Sequence, residues 1–347
     1  MRKLLQGFFL TGLAALGLST VNISEAQAQV HRSKYWGHWD FPYLEKRGWS
    51  LGWNLGVSEM WGDVGTFNVL DKYTSSKFTN DITKNVRGMG GMYAKYTHIP
   101  GLAYRIGVNY GRVYATDEWN YDEALKAKTI YEDSYQRHLR NLDANTNIWE
   151  ASVLVEFAPL RTFSDWEFGK TAKMRFQPYV LAGITGFYFN PRGTYTNLVT
   201  KKESWVDLRE LRTEGQGFSV EGTNYEKQYS VFSYAGAGGI GVKWDIGTGL
   251  SLGVEYLLRF TFTDYLDDVS GNYADVNHRD IAFADNENKR YLSQRMANKS
   301  QEVMPGHEYP LGFQRGDNSN NDMYSSISLN LCWKVNWREF GWWARKK

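Results

Sequence analysis

The sequence has 347 residues, a formal net charge of +2, one cysteine and 16% aromatic residues. Because positive and negative charges nearly balance, no bulk electrostatic field favours nucleic acid as a partner, and a single cysteine excludes an internal disulfide framework. The mean hydropathy of −0.52 and the lack of a long apolar run after the N-terminus exclude a helical membrane protein. They do not exclude a barrel, whose strands are apolar on one face only.

The N-terminal 28 residues have the pattern of an export signal. Arg2 and Lys3 supply positive charge, residues 4–18 are mostly apolar, and Ala26-Gln27-Ala28 matches a small-residue cleavage site. The alternative is a transmembrane anchor, but the apolar stretch is shorter than the roughly 18 residues that a spanning helix needs. We therefore predict a cleaved signal peptide at residues 1–28 and an exported chain.

Alternation of apolar and polar residues is the main secondary-structure signal. In residues 50–61, Leu51 and Trp53 lie on one face while Gly52 and Asn54 lie on the other, as in a strand with one apolar face. Three further segments are less regular, because glycines and a proline blur the alternation. The eight predicted strands are residues 50–61, 86–97, 102–114, 147–157, 173–189, 231–244, 250–262 and 323–336.

Long and short connections alternate strictly along the chain. The short ones are residues 99–101, 159–172 and 245–249, and the long ones are residues 62–85, 115–146, 190–230 and 263–322. This parity is typical of an outer-membrane barrel with long loops on one side and short periplasmic turns on the other. We predict an all-β fold, an eight-stranded antiparallel up-and-down outer-membrane β-barrel over residues 50–336. Residues 29–49 and 337–347 would be periplasmic tails of a protein in the cell outer membrane.

The inward face of the predicted barrel carries charges. Eight strands enclose just enough room for their own side chains, and buried charges are costly unless they are paired. A proton or ion path is the functional alternative, whereas a filled barrel is the usual outcome at this strand number. We predict a mutually neutralising lumen network of Arg105, Glu150, Glu156, Glu255, Arg259 and Lys334.

Acidic residues are concentrated at the start of the last long loop. Carboxylates beside a histidine suit general-base chemistry, and aspartate oxygens also suit calcium, although the spacing matches no EF-hand loop. We favour the third interpretation, which is solvated, salt-bridged or partner-binding carboxylates. Since no zinc-ligand spacing, phosphate-binding loop or nucleophile elbow occurs, we predict no metal, no cofactor and no catalytic residue. The cluster consists of Asp264, Asp267, Asp268, Ser270, Asp275, His278 and Asp280.

Four groups of residues carry a family resemblance that covers most of the exported chain. They are Trp61-Gly62-Asp63, residues 175–183 with 189–191, residues 211–217, and residues 263–270 followed by Tyr273. The most specific pieces are Thr-Glu-Gly-Gln-Gly, which contains Glu214, Gly215 and Gln216, and Asp-Tyr-Leu-Asp-Asp-Val-Ser, which spans residues 264–270. With these pieces the chain resembles the PorG-like outer-membrane proteins of the type IX secretion system of Bacteroidota.

The resemblance implies a non-enzymatic barrel of the type IX protein secretion and gliding machinery. Its implied partners are outer-membrane lipids, a periplasmic ring made of a PorK-like lipoprotein and a PorN-like subunit, and other type IX components. The residues of the two specific pieces are then candidates for partner binding. The chain departs from a typical barrel ending, because Phe340 is followed by Gly-Trp-Trp-Ala-Arg-Lys-Lys.

Both predicted tails are rich in aromatic residues, which make good interface anchors. Burial at the barrel mouth or in the bilayer interface would explain them equally well. Two other functions stay open: a barrel-rim hydrolase or lipid-modifying enzyme built on Asp267, Asp268 and His278, and a surface ligand-binding barrel or adhesin that uses the long loops. The candidate periplasmic interface consists of Trp36, Trp39, Trp337, Phe340, Trp342 and Trp343.

Overall fold

The computed structural model describes residues 48–66, 69–80, 82–160, 176–197, 200, 202–247 and 249–335. Eight long strands form a wall: β1 (Gly48–Trp61), β2 (Arg87–Ile99), β3 (Leu102–Thr116), β4 (Asp143–Phe157), β5 (Phe176–Thr196), β9 (Phe232–Gly247), β10 (Leu250–Thr261) and β11 (Met323–Lys334). Three short strands lie between β5 and β9, namely β6 (Glu203–Asp207), β7 (Ser219–Val220) and β8 (Thr223–Asn224).

The wall strands close into a barrel. Each is antiparallel to the next along the chain, and β1 pairs with β11 from Ser50↔Lys334 to Trp61↔Met323. Closure leaves no open edge in the wall, so the backbone groups of every wall strand find partners on both sides. The predicted eight-stranded antiparallel up-and-down barrel is therefore confirmed.

Two wall strands extend farthest beyond the bounds that the sequence predicts. β4 begins at Asp143 rather than at residue 147, and β5 ends at Thr196 rather than at residue 189. The added part of β4 pairs with β3, and the added part of β5 pairs with β6, as in Arg192↔Asp207. These residues lie beyond the lipid-facing wall, where no regular apolar face marks a strand in the sequence.

The long connections all lie on one side of the barrel, and three of them contain α-helices in their described residues. We number the loops L1 (62–86), L2 (117–142), L3 (197–231) and L4 (262–322), and we call them together the cap. Their helices are α1 (Val69–Thr74), α2 (Ser76–Asn80), α3 (Ile82–Asn85), α4 (Tyr121–Ala124), α5 (Asp133–Arg140), α6 (Val276–Ala282), α7 (Glu287–Ala297) and α8 (Ser300–Val303). Short 3-10 turns occur at Asp117–Asn120 and Arg209–Leu211. Within the described ranges, no helix is long and apolar enough to cross a membrane.

The outer wall is an apolar belt. Large side chains that point outward are well exposed, such as Leu55 (73%), Ile106 (61%) and Ile184 (69%), while their inward neighbours Arg105 and Thr185 are buried. A soluble protein does not leave a continuous apolar surface of this kind in water, whereas a bilayer covers it. The belt therefore makes this a membrane-spanning barrel of the outer-membrane type.

One stretch of the outer wall is covered by L1. Glu59 points outward from β1, yet it forms an ion pair with Lys72 and accepts a hydrogen bond of 3.0 Å from the Tyr73 hydroxyl, both on α1. Leu258, in the same outward row of the sheet, is only 4% exposed. Helix α1 thus lies against the outside of the barrel and neutralises a carboxylate that would otherwise face lipid.

Several predictions concern segments outside the described residues. These are the signal peptide at residues 1–28, residues 29–47 of the N-terminal segment, and the tail at 337–347. The six aromatic residues of the candidate periplasmic interface belong to the same segments: Trp36, Trp39, Trp337, Phe340, Trp342 and Trp343.

Candidate functional site

The short-turn half of the lumen is filled by a network around Glu156. Its Oε1 accepts hydrogen bonds from Lys95 Nζ at 3.2 Å and Lys243 Nζ at 3.0 Å, and its Oε2 lies 3.6 Å from Arg105 Nη1. Arg105 also pairs with Glu255, with 2.6 Å between Nη1 and Oε2. All five side chains are buried. Each buried charge therefore has an opposite charge in contact, which is the condition under which such charges are tolerated inside a protein.

The loop-side half of the lumen is built around Glu150 and Arg259. Arg259 donates from Nε to Glu150 Oε2 at 2.9 Å and from Nη2 to Oε1 at 3.0 Å. This is a bidentate ion pair, which is the strongest arrangement between a guanidinium and a carboxylate. The Tyr324 hydroxyl and the Asn109 amide donate to the same carboxylate at 2.7 and 2.8 Å. Glu150 thus accepts four hydrogen bonds in the lumen.

Tyrosine rings fill the space between the charges. The Tyr93 ring centroid lies 3.9 Å from the Arg105 guanidinium carbon. The ring fits because Gly52 faces it, since a Cβ atom there would lie 2.2 Å from a ring carbon of Tyr93. The cavity that remains beside Arg105 measures about 20 Å³, room for roughly one water molecule. The lumen is a packed core and not a pore.

Lys334, the sixth residue of the predicted network, lies at the short-turn end of the lumen and is half-buried. There it lines a second small cavity, of about 10 Å³, together with Lys95, Lys243 and Asp245. Cys332 lines the same cavity and is buried. The structure therefore brings five of the six predicted residues into direct ion pairs and places Lys334 beside them.

The two specific sequence pieces meet in the cap. Glu214 of L3 accepts the backbone N–H groups of Ser270 and Gly271 of L4, each at 3.0 Å. Its Oε1 also accepts Arg315 Nη1 at 2.9 Å. Glu214 and Arg315 are both buried. This carboxylate consequently joins L3 to two parts of L4 that lie 56 and 101 residues farther along the sequence.

Asp268 makes the second connection between the two pieces. Its Oδ2 accepts the Thr213 hydroxyl at 2.5 Å, and its Oδ1 accepts the Tyr229 hydroxyl at 2.6 Å. Its backbone carbonyl accepts Arg315 Nη1 at 2.8 Å. The backbone of Asp268 is left-handed, with φ of +66°, a conformation that aspartate tolerates better than most residues.

The turn of the first piece depends on its own side chains. Gly215 has φ of +79°, a value that glycine adopts without strain. Gln216 is buried, and its Oε1 accepts the backbone N–H of Glu214 at 3.1 Å. Glu214, Gly215 and Gln216 therefore build the turn that aims the Glu214 carboxylate at L4.

Arg140, at the end of α5, ties the remaining loops together. It donates to both carboxylate oxygens of Asp117 at 2.8 Å, to the Asp63 carbonyl at 2.8 Å and to the Arg315 carbonyl at 2.5 Å. These partners belong to L2, L1 and L4. Because one buried guanidinium satisfies groups from three loops, the cap is a single packed unit rather than a set of separate loops.

Four aspartates of the cap lie close together near Arg140, namely Asp63, Asp264, Asp267 and Asp322. Asp267 accepts the backbone N–H groups of Val64 and Val269 at 2.8 and 3.0 Å, and Asp322 accepts that of Leu266 at 2.7 Å. Burial, together with repulsion from Asp63, raises the pKa of Asp264 to about 8 and that of Asp267 to about 7. Burial together with Asp267 also raises the pKa of Asp322. Part of this cluster is therefore protonated at neutral pH.

The residues that suggested catalysis or calcium binding are engaged elsewhere. His278 Nδ1 lies 2.8 Å from the Tyr225 hydroxyl, Asp275 caps α6 by accepting the Asn277 N–H at 2.7 Å, and Asp280 accepts Gln294 Nε2 at 2.8 Å. Among the described residues, no group of three or more His, Cys, Asp or Glu side chains is placed to hold a metal ion. The side chains of Asp275, His278 and Asp280 are therefore hydrogen-bonded within the cap.

Sequence reasoning missed the cations that organise the cap. Neither Arg140 nor Arg315 lies in a recognisable motif, and their partners are distant in the sequence. Thr213 could have been singled out from the sequence, because it is the first residue of the Thr-Glu-Gly-Gln-Gly piece. The acidic residues at the start of L4 indicated solvated, salt-bridged or partner-binding carboxylates, without specifying which cations they would meet.

Comparisons with known proteins give structural likeness alone. No protein-family model matches the chain, and no curated protein matches it. Among solved structures, the chain is similar to a major outer membrane protein from Thermus thermophilus (TM-score 0.35, 11% identity, 84% of this chain and 100% of that one). It is also similar to Neisserial surface protein A (TM-score 0.33, 9% identity, 83% and 97%) and to the N-terminal β-barrel domain of Pseudomonas aeruginosa OprF (TM-score 0.26, 7% identity, 83% and 100%).

Proposed function

We propose that this barrel is a non-enzymatic outer-membrane component of the type IX protein secretion and gliding machinery. In this role it anchors or positions a periplasmic ring of PorK-like and PorN-like subunits. The proposal joins the resemblance of residues 211–217 and 263–270 with the observation that carries most weight, the filled lumen. A barrel with room for roughly one water beside Arg105 cannot conduct a protein, so its contribution lies on its surfaces.

The cap supports the same role. Its most specific residues, Glu214 and Asp268, are buried and bonded within the cap, so they stabilise a shape instead of presenting a reactive group. Partner binding by Glu214, Gly215, Gln216 and residues 264–270 would then be indirect, through the surface that they hold in place. A ring on the opposite side would contact the short turns and the aromatic tails.

Crosslinked co-purification from outer membranes tests the proposal. The wild-type chain should recover the ring subunits, and replacement of Trp342 and Trp343 with alanine should lower that recovery. A matched control is Tyr131→Ala, which removes an aromatic side chain that is 85% exposed on L2, on the other side of the membrane. Absence of ring subunits from the wild-type sample contradicts the function, and unchanged recovery with the tryptophan variants removes the tail from the interface.

A further inference from the structure

An aromatic row marks the loop-side edge of the lipid-facing belt. Tyr110, Trp149, Tyr188 and Phe232 are consecutive cross-strand partners on β3, β4, β5 and β9, and all four point outward. The ring centroids of Tyr110 and Trp149 are 4.5 Å apart, and those of Tyr188 and Phe232 are 5.1 Å apart. Aromatic rings in transmembrane barrels lie at the level of the lipid headgroups. Side chains one row farther toward the cap therefore face the headgroups themselves.

Arg112 occupies that next row. It follows Tyr110 by two residues on the same face of β3, it is exposed, and its cross-strand partner is Asn147. Within the described part of the chain, no carboxylate forms an ion pair with Arg112. An exposed guanidinium at headgroup depth is positioned to meet an anionic group of a lipid.

A second arginine, Arg87, lies on the neighbouring strand β2. The Ser58 hydroxyl bonds the backbone carbonyls of both Arg87 and Arg112, so the ends of β2 and β3 are held side by side. The Arg87 guanidinium carbon lies 4.7 Å from the ring centroid of Tyr114, which is the next outward residue after Arg112 on β3. Arg87 itself lies opposite the buried Ser58 in the inward row of β2, so the charge that faces outward here is that of Arg112.

Among the described residues near Arg112, most acidic side chains already have cationic partners. Asp143 pairs with Lys299 at 2.5 Å, and Asp207 pairs with Arg192 at 3.0 Å. Glu118 has no such ion pair among the described residues. It is exposed on the 3-10 turn that follows β3, six residues after Arg112. The surface between the aromatic row and the cap thus has an excess of positive charge at Arg112.

We propose that Arg112, with Asn147 beside it, binds the phosphate of a lipid headgroup in the loop-side leaflet. The planar guanidinium presents paired N–H donors that match two phosphate oxygens, which is why arginine is favoured at such sites. The acyl chains of the same lipid lie along the belt below, against Tyr110 and Trp149. The site holds a lipid and performs no chemistry on it.

Native mass spectrometry of the full-length barrel in detergent tests this assignment, with phosphorylated lipid A and its dephosphorylated form as probes. Wild-type protein should retain the phosphorylated form preferentially. Arg112→Ala should lower that retention about fivefold, which is what one basic residue contributes at an anionic membrane surface. Arg112→Lys should recover part of it, because the charge returns without the paired donors.

The matched control is Lys128→Ala, which removes an exposed positive charge on L2 away from the lipid-facing wall. An equal loss with Lys128→Ala would show unspecific charge attraction and would overturn the site, as would equal retention of both lipid A forms by the wild type. Full displacement of the lipid by inorganic phosphate would identify a free-anion site and overturn the lipid assignment. Heat-modifiable gel mobility confirms that each variant is folded, and Asn147→Ala provides a second test on the same row with no change in net charge.

Discussion

Glu214 and Ser270 lie 56 residues apart in different loops, and the Glu214 carboxylate accepts the Ser270 backbone N–H at 3.0 Å. The other oxygen of the same carboxylate accepts the next N–H, that of Gly271. Two sequence pieces that are far apart along the chain are therefore bonded to each other in the folded cap.

Glu214→Ala should loosen the cap while the barrel stays closed. The change leaves the buried Arg315 guanidinium without its carboxylate and two backbone N–H groups without an acceptor, and breaking a buried pair from one side costs about 3–5 kcal/mol. Limited proteolysis of the protein in vesicles should cut L3 and L4 much faster than in the wild type. Glu221→Ala, at an exposed position of L3, is the control and should leave the cleavage rate unchanged.

Glu156→Gln should destabilise the barrel itself. Lys95, Lys243 and Arg105 surround this carboxylate, so its loss leaves several buried cations with too little negative charge, again a cost of about 3–5 kcal/mol. The urea midpoint of the vesicle-embedded barrel should fall. Glu123→Gln breaks an exposed pair with Lys126 and should change the free energy of unfolding by less than about 1 kcal/mol. Equal midpoints for the two variants would contradict the lumen network.

Gly52→Ala should also lower the urea midpoint, by overpacking. A Cβ atom at Gly52 would lie 2.2 Å from a ring carbon of Tyr93, and forcing extra carbon into a packed interior costs about 1–3 kcal/mol. Gly236→Ala is the matched control, because no heavy atom lies within 4 Å of a Cβ added there. Destabilisation by both variants to the same degree would point to strand propensity and not to the Tyr93 contact.

The wild-type barrel should not conduct ions in a planar bilayer. The cavity beside Arg105 measures about 20 Å³, and the charges around it are fixed in ion pairs, so no continuous water path remains. A porin reconstituted in the same way serves as the positive control. Reproducible stepwise currents from the wild-type protein would refute the filled lumen.

The cap should become less stable as the pH rises from about 4 to about 8. Burial raises the pKa of Asp268 to about 6, that of Asp267 to about 7 and that of Asp264 to about 8, while the ordinary value for aspartate is about 3.9. Across this interval the folded cap binds more protons than the unfolded loops, and stability falls with increasing pH wherever that holds.

Hydrogen exchange of L4, corrected for the intrinsic effect of pH, measures this change. Protection of the Leu266 and Val269 amides should decrease toward pH 8. Asp264→Asn removes a group whose pKa is raised to about 8 and should flatten the upper part of the profile. Protection that increases with pH would have the wrong sign and would exclude these carboxylates as its cause.

The wall could be predicted from the sequence because lipid imposes period-two alternation on it. Residues such as Leu55 and Ile106 had to point outward, and Arg105 and Glu156 then had to face one another inside a narrow barrel. The cap has no such constraint. Its stability comes from pairs such as Glu214 with Arg315, 101 residues apart, and composition does not specify which cation meets which carboxylate. The position of α1 against Glu59 was unforeseen for the same reason.

Strand β5 runs for 21 residues, and its last eight, from Phe189 to Thr196, continue past the point where its pairing with β9 ends at Tyr188↔Phe232. β4 and β6 bond this extension on its two sides. A force applied to the cap would therefore pass into the wall along one unbroken, hydrogen-bonded backbone rather than through a slack connection. Under the function proposed above, a pull on the cap would therefore be transmitted directly to the barrel wall.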